Sequence, residues 1–88
     1  MSDAVRCWLV DRTYSDKGLV SLVYATPDGT RVLRRERSPT VLRRSGGVTA
    51  AVDVDPDVLE AVDDPDERER YASEAERMAE RHDPDETV

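Results

Sequence analysis

Gly18-Leu19-Val20-Ser21-Leu22-Val23-Tyr24-Ala25-Thr26-Pro27-Asp28-Gly29-Thr30-Arg31-Val32-Leu33-Arg34-Arg35-Glu36 is the stretch that decides the fold. Residues 19–25 are almost all apolar or β-favouring, which suits a central strand with both faces partly covered. Pro27-Asp28-Gly29 is turn chemistry: Pro presets φ, Asp bonds its own backbone, and Gly takes φ > 0. The stretch therefore predicts an antiparallel hairpin, with one strand over residues 19–26 and the next over residues 30–37.

Upstream, residues 5–12 predict a first strand. Val5, Cys7 and Leu9 fall on one face, and Arg6, Trp8 and Val10 on the other. Residues 14–18 form a turn, with Gly18 suited to the left-handed position of a bulged hairpin. Residues 1–4 precede the sheet as a short tail. Three consecutive strands with short loops make a meander with the second strand in the middle.

Downstream, Ser38-Pro39 breaks the third strand, because Pro removes a donor. Residues 40–44 read as one helical turn or as irregular chain. Ser45-Gly46-Gly47 is a loop, and residues 48–54 predict a fourth strand. Asp-Pro recurs at residues 55–56, 64–65 and 83–84. Each pair sets an N-cap before a Pro at the first helical position. The first opens a short turn, and the second opens a helix over residues 65–81. Acidic residues crowd that helix's first turn and arginines its last, as the macrodipole favours. Tyr71, Ala75, Met78, Ala79 and His82 make one apolar stripe. The expected fold is α+β, a three- or four-stranded antiparallel meander packed by a long C-terminal helix. It is one small domain over residues 1–88, with the sheet in 5–54, the helical region in 55–82 and an acidic tail in 83–88.

The chain has 88 residues, one Trp, three Tyr and no Phe. So small a domain buries only about 60% of its unfolded surface. The lone Cys7 excludes an intramolecular disulfide, and its apolar neighbours predict a buried, inert thiol. The N-terminus lacks the basic and apolar regions of a signal peptide, and no run approaches a membrane span. A cytoplasmic protein is expected.

Net charge is -7, yet Lys17 is the only lysine, and the 12 aspartates outnumber the eight glutamates. Acid-rich, lysine-poor surfaces with small apolar residues point to a high-salt cytoplasm, where carboxylates hold water and cations. A GC-rich genome would bias the composition the same way. The charge is unevenly placed. Residues 1–46 carry nine basic and five acidic side chains, whereas residues 47–88 carry four and fifteen.

Arg31, Arg34, Arg35, Arg37, Arg43 and Arg44 concentrate the positive charge and are the candidate contacts for a polyanion or partner. The competing and favoured expectation is that they face carboxylates of this chain or of a second copy. Four phosphate contacts alone would lose roughly four to five decades of affinity between ~0.1 and ~2 M salt. A nucleic-acid partner in high salt therefore needs base or shape contacts as well. His82, Asp83, Asp85 and Glu86 could hold a hard cation. A single His at a helix end reads better as a dipole partner or packed ring. With one His, one Cys and no Gly-rich loop, the chain offers little material for catalysis. No enzyme activity, cofactor or metal is expected.

The segments Val-Tyr-Ala-Thr-Pro-Asp-Gly at 23–29, Ala-Val-Asp-Val-Asp-Pro-Asp at 51–57, Tyr-Ala-Ser-Glu-Ala-Glu-Arg-Met at 71–78 and His-Asp-Pro-Asp at 82–85 resemble small uncharacterised acidic proteins of haloarchaea. The resemblance spans most of the chain and implies no activity and no functional residues.

Both faces of the second strand are apolar, and one helix of about 25 Å covers only one of them. Residues 38–62 could cover the other. A twofold homodimer, with Trp8 or Tyr24 near the contact, is the favoured alternative. The expected function is thus a non-enzymatic protein-protein interaction module acting as a homo-oligomer. The alternative is a nucleic-acid-associated protein that uses the arginines around strand three.

Overall fold

The computed structural model describes residues 3–88, so the first two residues of the expected N-terminal tail lie outside the described residues. The elements in chain order are β1 (Val5–Tyr14), β2 (Val20–Ala25), β3 (Arg31–Arg37), α1 (Pro39–Arg44), β4 (Ala51–Val54), β5 (Glu60–Ala61) and α2 (Pro65–Arg81), with a 3-10 turn at Pro56–Val58. The fold is α+β with one open sheet of five antiparallel strands, ordered β4-β1-β2-β3-β5, against the three or four expected.

The extra strand comes from the Asp55-Pro56 signal. The Asp55 carboxylate caps Asp57 N–H at 3.0 Å, and only one tight turn follows. The chain then extends, and Glu60 and Ala61 pair with Val32 and Arg31. The segment at residues 40–44 is helical. Ser38 Oγ accepts from Val41 N–H at 3.2 Å, and Gly46 and Gly47 close the C-terminus at φ 90° and 100°. Both glycines are left-handed, and Gly47 N–H reaches back to the Leu42 carbonyl at 2.7 Å, as in a Schellman closure. The fourth strand is shorter than residues 48–54: the Val48 carbonyl accepts from Val88 N–H, and Ala50 bonds both Leu9 of β1 and Glu86.

Each sheet face has a cover, and Met78 of α2 and Val88 pack against the clusters of both. On one, Tyr71 of α2 packs with Val23, Ala25, Val32 and Val62, and Ala75 packs with Trp8, Ala50 and Ala51. The stripe therefore lies over the Val23 face. Ala79 departs from it and is exposed. On the other face, Cys7, Leu9, Val20, Leu22, Tyr24 and Val54 pack under Val48, Leu42 and Leu59. Residues 38–62 thus supply part of the second cover, through Leu42, Val48 and Leu59, although α1 has no fully buried residue. Trp8 and Tyr24 are 8% and 3% exposed, each packed among residues of its own chain.

Two irregularities position the rest. β1 has a bulge between Leu9 and Asp11, where the partners change from Tyr24 to Val23. One extra residue reverses the facing of everything beyond it. Arg12 is therefore the register partner of Leu22. The expected acidic tail, in turn, is part of the fold. Ala50 N–H bonds the Glu86 carbonyl at 2.8 Å, Ala51 N–H that of Pro84 at 3.0 Å, and Val88 N–H that of Val48 at 2.8 Å.

Candidate anion-binding cleft on the face covered by α1

Strand alternation sorts the arginines. Arg31, Arg35 and Arg37 alternate with Leu33 in register and stand opposite Ala61, Leu22 and Val20, on the side that α1 covers. Arg34 stands opposite Val23 on the other side and meets Glu60 at 3.6 Å. Arg43 and Arg44 close α1, where positive charge complements the helix dipole, and both are exposed.

The expected pairing with the chain's own carboxylates is therefore mostly absent. Among the described residues, Arg34 is the one candidate arginine in an ion pair; the others are Arg6–Asp53, Arg77–Glu74 and His82–Glu86. The reason is topological. Most acidic residues lie in α2 and the segments flanking it, and α2 is on the far side of the sheet. Arg37 donates to the Glu36 carbonyl at 2.8 Å. Arg35 is half-buried with no carboxylate partner.

Between α1 and the sheet lies a cleft of about 220 Å³. Leu22, Tyr24 and Val52 of the strands form its floor, and Val48 and Leu42 its wall. Arg35 and Arg37 reach it from β3, and Val41, 48% exposed, stands at α1. The Tyr24 hydroxyl donates to the Thr49 carbonyl at 3.5 Å, the outer limit for such a bond. Burial pushes the Tyr24 phenol above its ordinary pKa. Arg35, Arg12, the bond to Thr49 and Arg37 pull the other way without cancelling it. The charges acting on this phenol are thus guanidiniums.

Among the residues singled out in the sequence, the cleft brings together Tyr24, Arg35 and Arg37. Arg43 and Arg44 lie on the helix above it, and Arg31 lies further along β3. Arg34 and Trp8 are elsewhere. Arg12 was missed, because only the bulge puts it opposite Leu22; its guanidinium donates to the Val88 carbonyl at 3.1 Å, and it lines a separate groove with Glu74, Met78 and His82. Leu42 was missed because residues 40–44 read as either a helical turn or irregular chain, and Val48 and Thr49 because they read as part of the fourth strand, whereas they pair with the C-terminal segment. Cys7 is fully buried; burial raises its thiol pKa, Arg31 lowers it and Asp53 raises it. His82 is half-buried at the end of α2, and its Nδ1 meets the Glu86 carboxylate, which helps hold the C-terminal segment. No described helix is long and apolar enough to cross a membrane.

No curated protein and no solved structure matches this chain. A family model does, over residues 1–88, and the chain accordingly belongs to a family of unknown function (DUF7967).

Proposed function

We propose that this protein is a non-enzymatic binding module of a high-salt cytoplasm, and that its partner is a nucleic acid held on the face covered by α1. One observation carries this reading: Arg31, Arg35, Arg37, Arg43 and Arg44 share no ion pair with any described carboxylate. Guanidiniums that the fold leaves unmatched are suited to phosphate, which they grip through two parallel N–H bonds. The packing of Leu42, Val48 and Leu59 over the second sheet face supports this reading over a homodimer built on Trp8 or Tyr24.

The test is fluorescence anisotropy of a labelled single-stranded oligonucleotide across a salt series. Four phosphate contacts give a slope of log K against log salt near ~-3 for a single strand. Replacing Arg35, Arg37, Arg43 and Arg44 by Gln should abolish most of that slope. No binding even at ~0.1 M salt would reject the reading. A second copy is the competing anion, because residues 47–88 carry fifteen acidic side chains. Light scattering separates the two. Mass above the 9.9 kDa monomer, lost in the same variant, favours self-association.

A further inference from the structure

We propose that the cleft under α1 seats a single nucleotide, its base on the apolar floor and its phosphate at Arg35 and Arg37. This rests on the nucleic-acid reading above and adds the subsite to it. Size comes first. About 220 Å³ lies below the ~300–1,000 Å³ of sites for drug-sized ligands, so the cleft takes one ring system and not a dinucleotide.

The floor then suits a flat heteroaromatic ring. Leu22, Tyr24 and Val48 are buried apolar side chains, and a base laid against them and Leu42 leaves water. Two polar groups at that floor keep spare capacity. The Tyr24 hydroxyl and the Thr49 carbonyl share only a 3.5 Å contact, so the phenol can redirect its proton and the carbonyl has a free lone pair. A base edge offers both donors and acceptors to such a pair.

The mouth supplies the anion site. Arg35 is half-buried, and no carboxylate within the described residues compensates its charge. Such a guanidinium, with no carboxylate on it, is open to a bidentate bond with an arriving phosphate. Arg37 lines the same cleft, and Arg12 adds its field at Tyr24 from β1. Guanidiniums also stack on bases, which makes β3 a platform as well as a clamp. Arg43 and Arg44 on the helix above extend the charge beyond one phosphate, as a strand of several nucleotides requires. A base in an apolar cleft also supplies the salt-resistant contact that charge alone lacks.

The experiment is an NMR titration of amide shifts with adenosine 5′-monophosphate, adenosine and inorganic phosphate, beside oligonucleotide anisotropy. The nucleotide should shift the amides of Leu42, Val48 and Thr49, and bind at least about tenfold more tightly than adenosine or phosphate. V41W fills the mouth from an exposed position and leaves every arginine in place. It should weaken the nucleotide about tenfold while the oligonucleotide keeps its salt slope. R35Q should weaken both ligands. If the oligonucleotide binds but the nucleotide shifts no cleft amide, the subsite is refuted and the broader reading stands. If neither binds, both fall. Equal shifts from phosphate alone, or unchanged nucleotide affinity in V41W, also overturn the base pocket.

Discussion

Gly29 lies against the backbone of α2 at Arg68. A Cβ built on it would fall inside hard contact with the Arg68 carbonyl oxygen and 2.7 Å from the Ala72 nitrogen. The tip of the β2–β3 turn is thus where hairpin and long helix touch without side chains between them. Gly18, in the preceding turn, has the same left-handed backbone at φ 76° but open space around it. The pair separates conformational cost from packing cost. Gly18→Ala should lose about 1 kcal/mol, the price of forcing a side chain into that region. Gly29→Ala should lose roughly 3 kcal/mol or more, because helix backbone cannot yield. Denaturant midpoints of the two variants measure the difference, and equal losses would mean that the turn does not bear on α2.

Asp28 sits in that turn as the acceptor for three bonds. Thr26 Oγ1 donates to it at 2.6 Å, Thr30 N–H at 3.0 Å and Thr30 Oγ1 at 2.8 Å. The bond from Thr26 leads the effects that lower its pKa from 3.8 to about 2. A depressed folded-state value means the charged form is favoured by folding. The stabilisation is therefore complete above the unfolded value, near pH 4, and is lost as pH falls through about 2. The carboxyl is largely exposed, so solvent limits the effect to about 1 kcal/mol. Asp28→Asn should lose that amount at neutral pH and flatten the acid limb below pH ~4. An unchanged acid limb would remove Asp28 as its source.

The hairpin, its Gly18 and Gly29 turns, and α2 from Pro65 to Arg81 were legible because each rests on local chemistry: β-favouring runs, left-handed glycines and an Asp-Pro cap. What stayed hidden depends on long-range fit. The bulge between Leu9 and Asp11 carries no sequence mark, yet it decides that Arg12 belongs with Leu22. The acids of residues 83–88 read as a solvated tail, although it is their backbone that pairs with residues 48–51. The arginines were visible as a cluster. That they stand largely unpaired follows from α2 crossing the opposite face, which strand patterning left open between two registers.

The C-terminal segment gives a direct test of that backbone role. A solvated acidic tail would be removable at no cost. Deleting residues 83–88 instead breaks three backbone hydrogen bonds, at Val48, Ala50 and Ala51, besides the side-chain contacts of Arg12 to the Val88 carbonyl and His82 to Glu86. At about 0.5–1.5 kcal/mol each, the loss should be roughly 2–4 kcal/mol in thermal or urea unfolding. A truncated chain as stable as the full one would show the segment to be dispensable.

Arg34 and Arg35 are neighbours in sequence on opposite faces of β3, which makes them a matched pair. Arg35→Gln should weaken oligonucleotide binding and lower the salt slope by about 0.7, one single-strand phosphate contact. Arg34→Gln, losing only an exposed pair with Glu60, should leave both unchanged. Equal effects in anisotropy titrations would show that binding follows total charge and not the face covered by α1.

Glu76 and Glu80 are four residues apart on α2, and both are exposed. Like charges at that spacing cost an isolated helix about 0.2–0.5 kcal/mol. Their separation, about 5–6 Å between Cβ atoms, is less than the ~10 Å Debye length at 0.1 M salt but greater than the ~3 Å at 1 M. The repulsion should therefore act in dilute salt and vanish in concentrated salt. Glu80→Gln should raise the melting temperature at ~0.1 M and leave it unchanged above ~1 M. The unsubstituted protein should likewise melt lower as salt is removed, because the acidic residues around α2 then repel with less screening. A melting temperature flat from ~0.1 M to ~3 M salt would count against adaptation to a high-salt cytoplasm. It would leave the lysine-poor composition to codon bias alone.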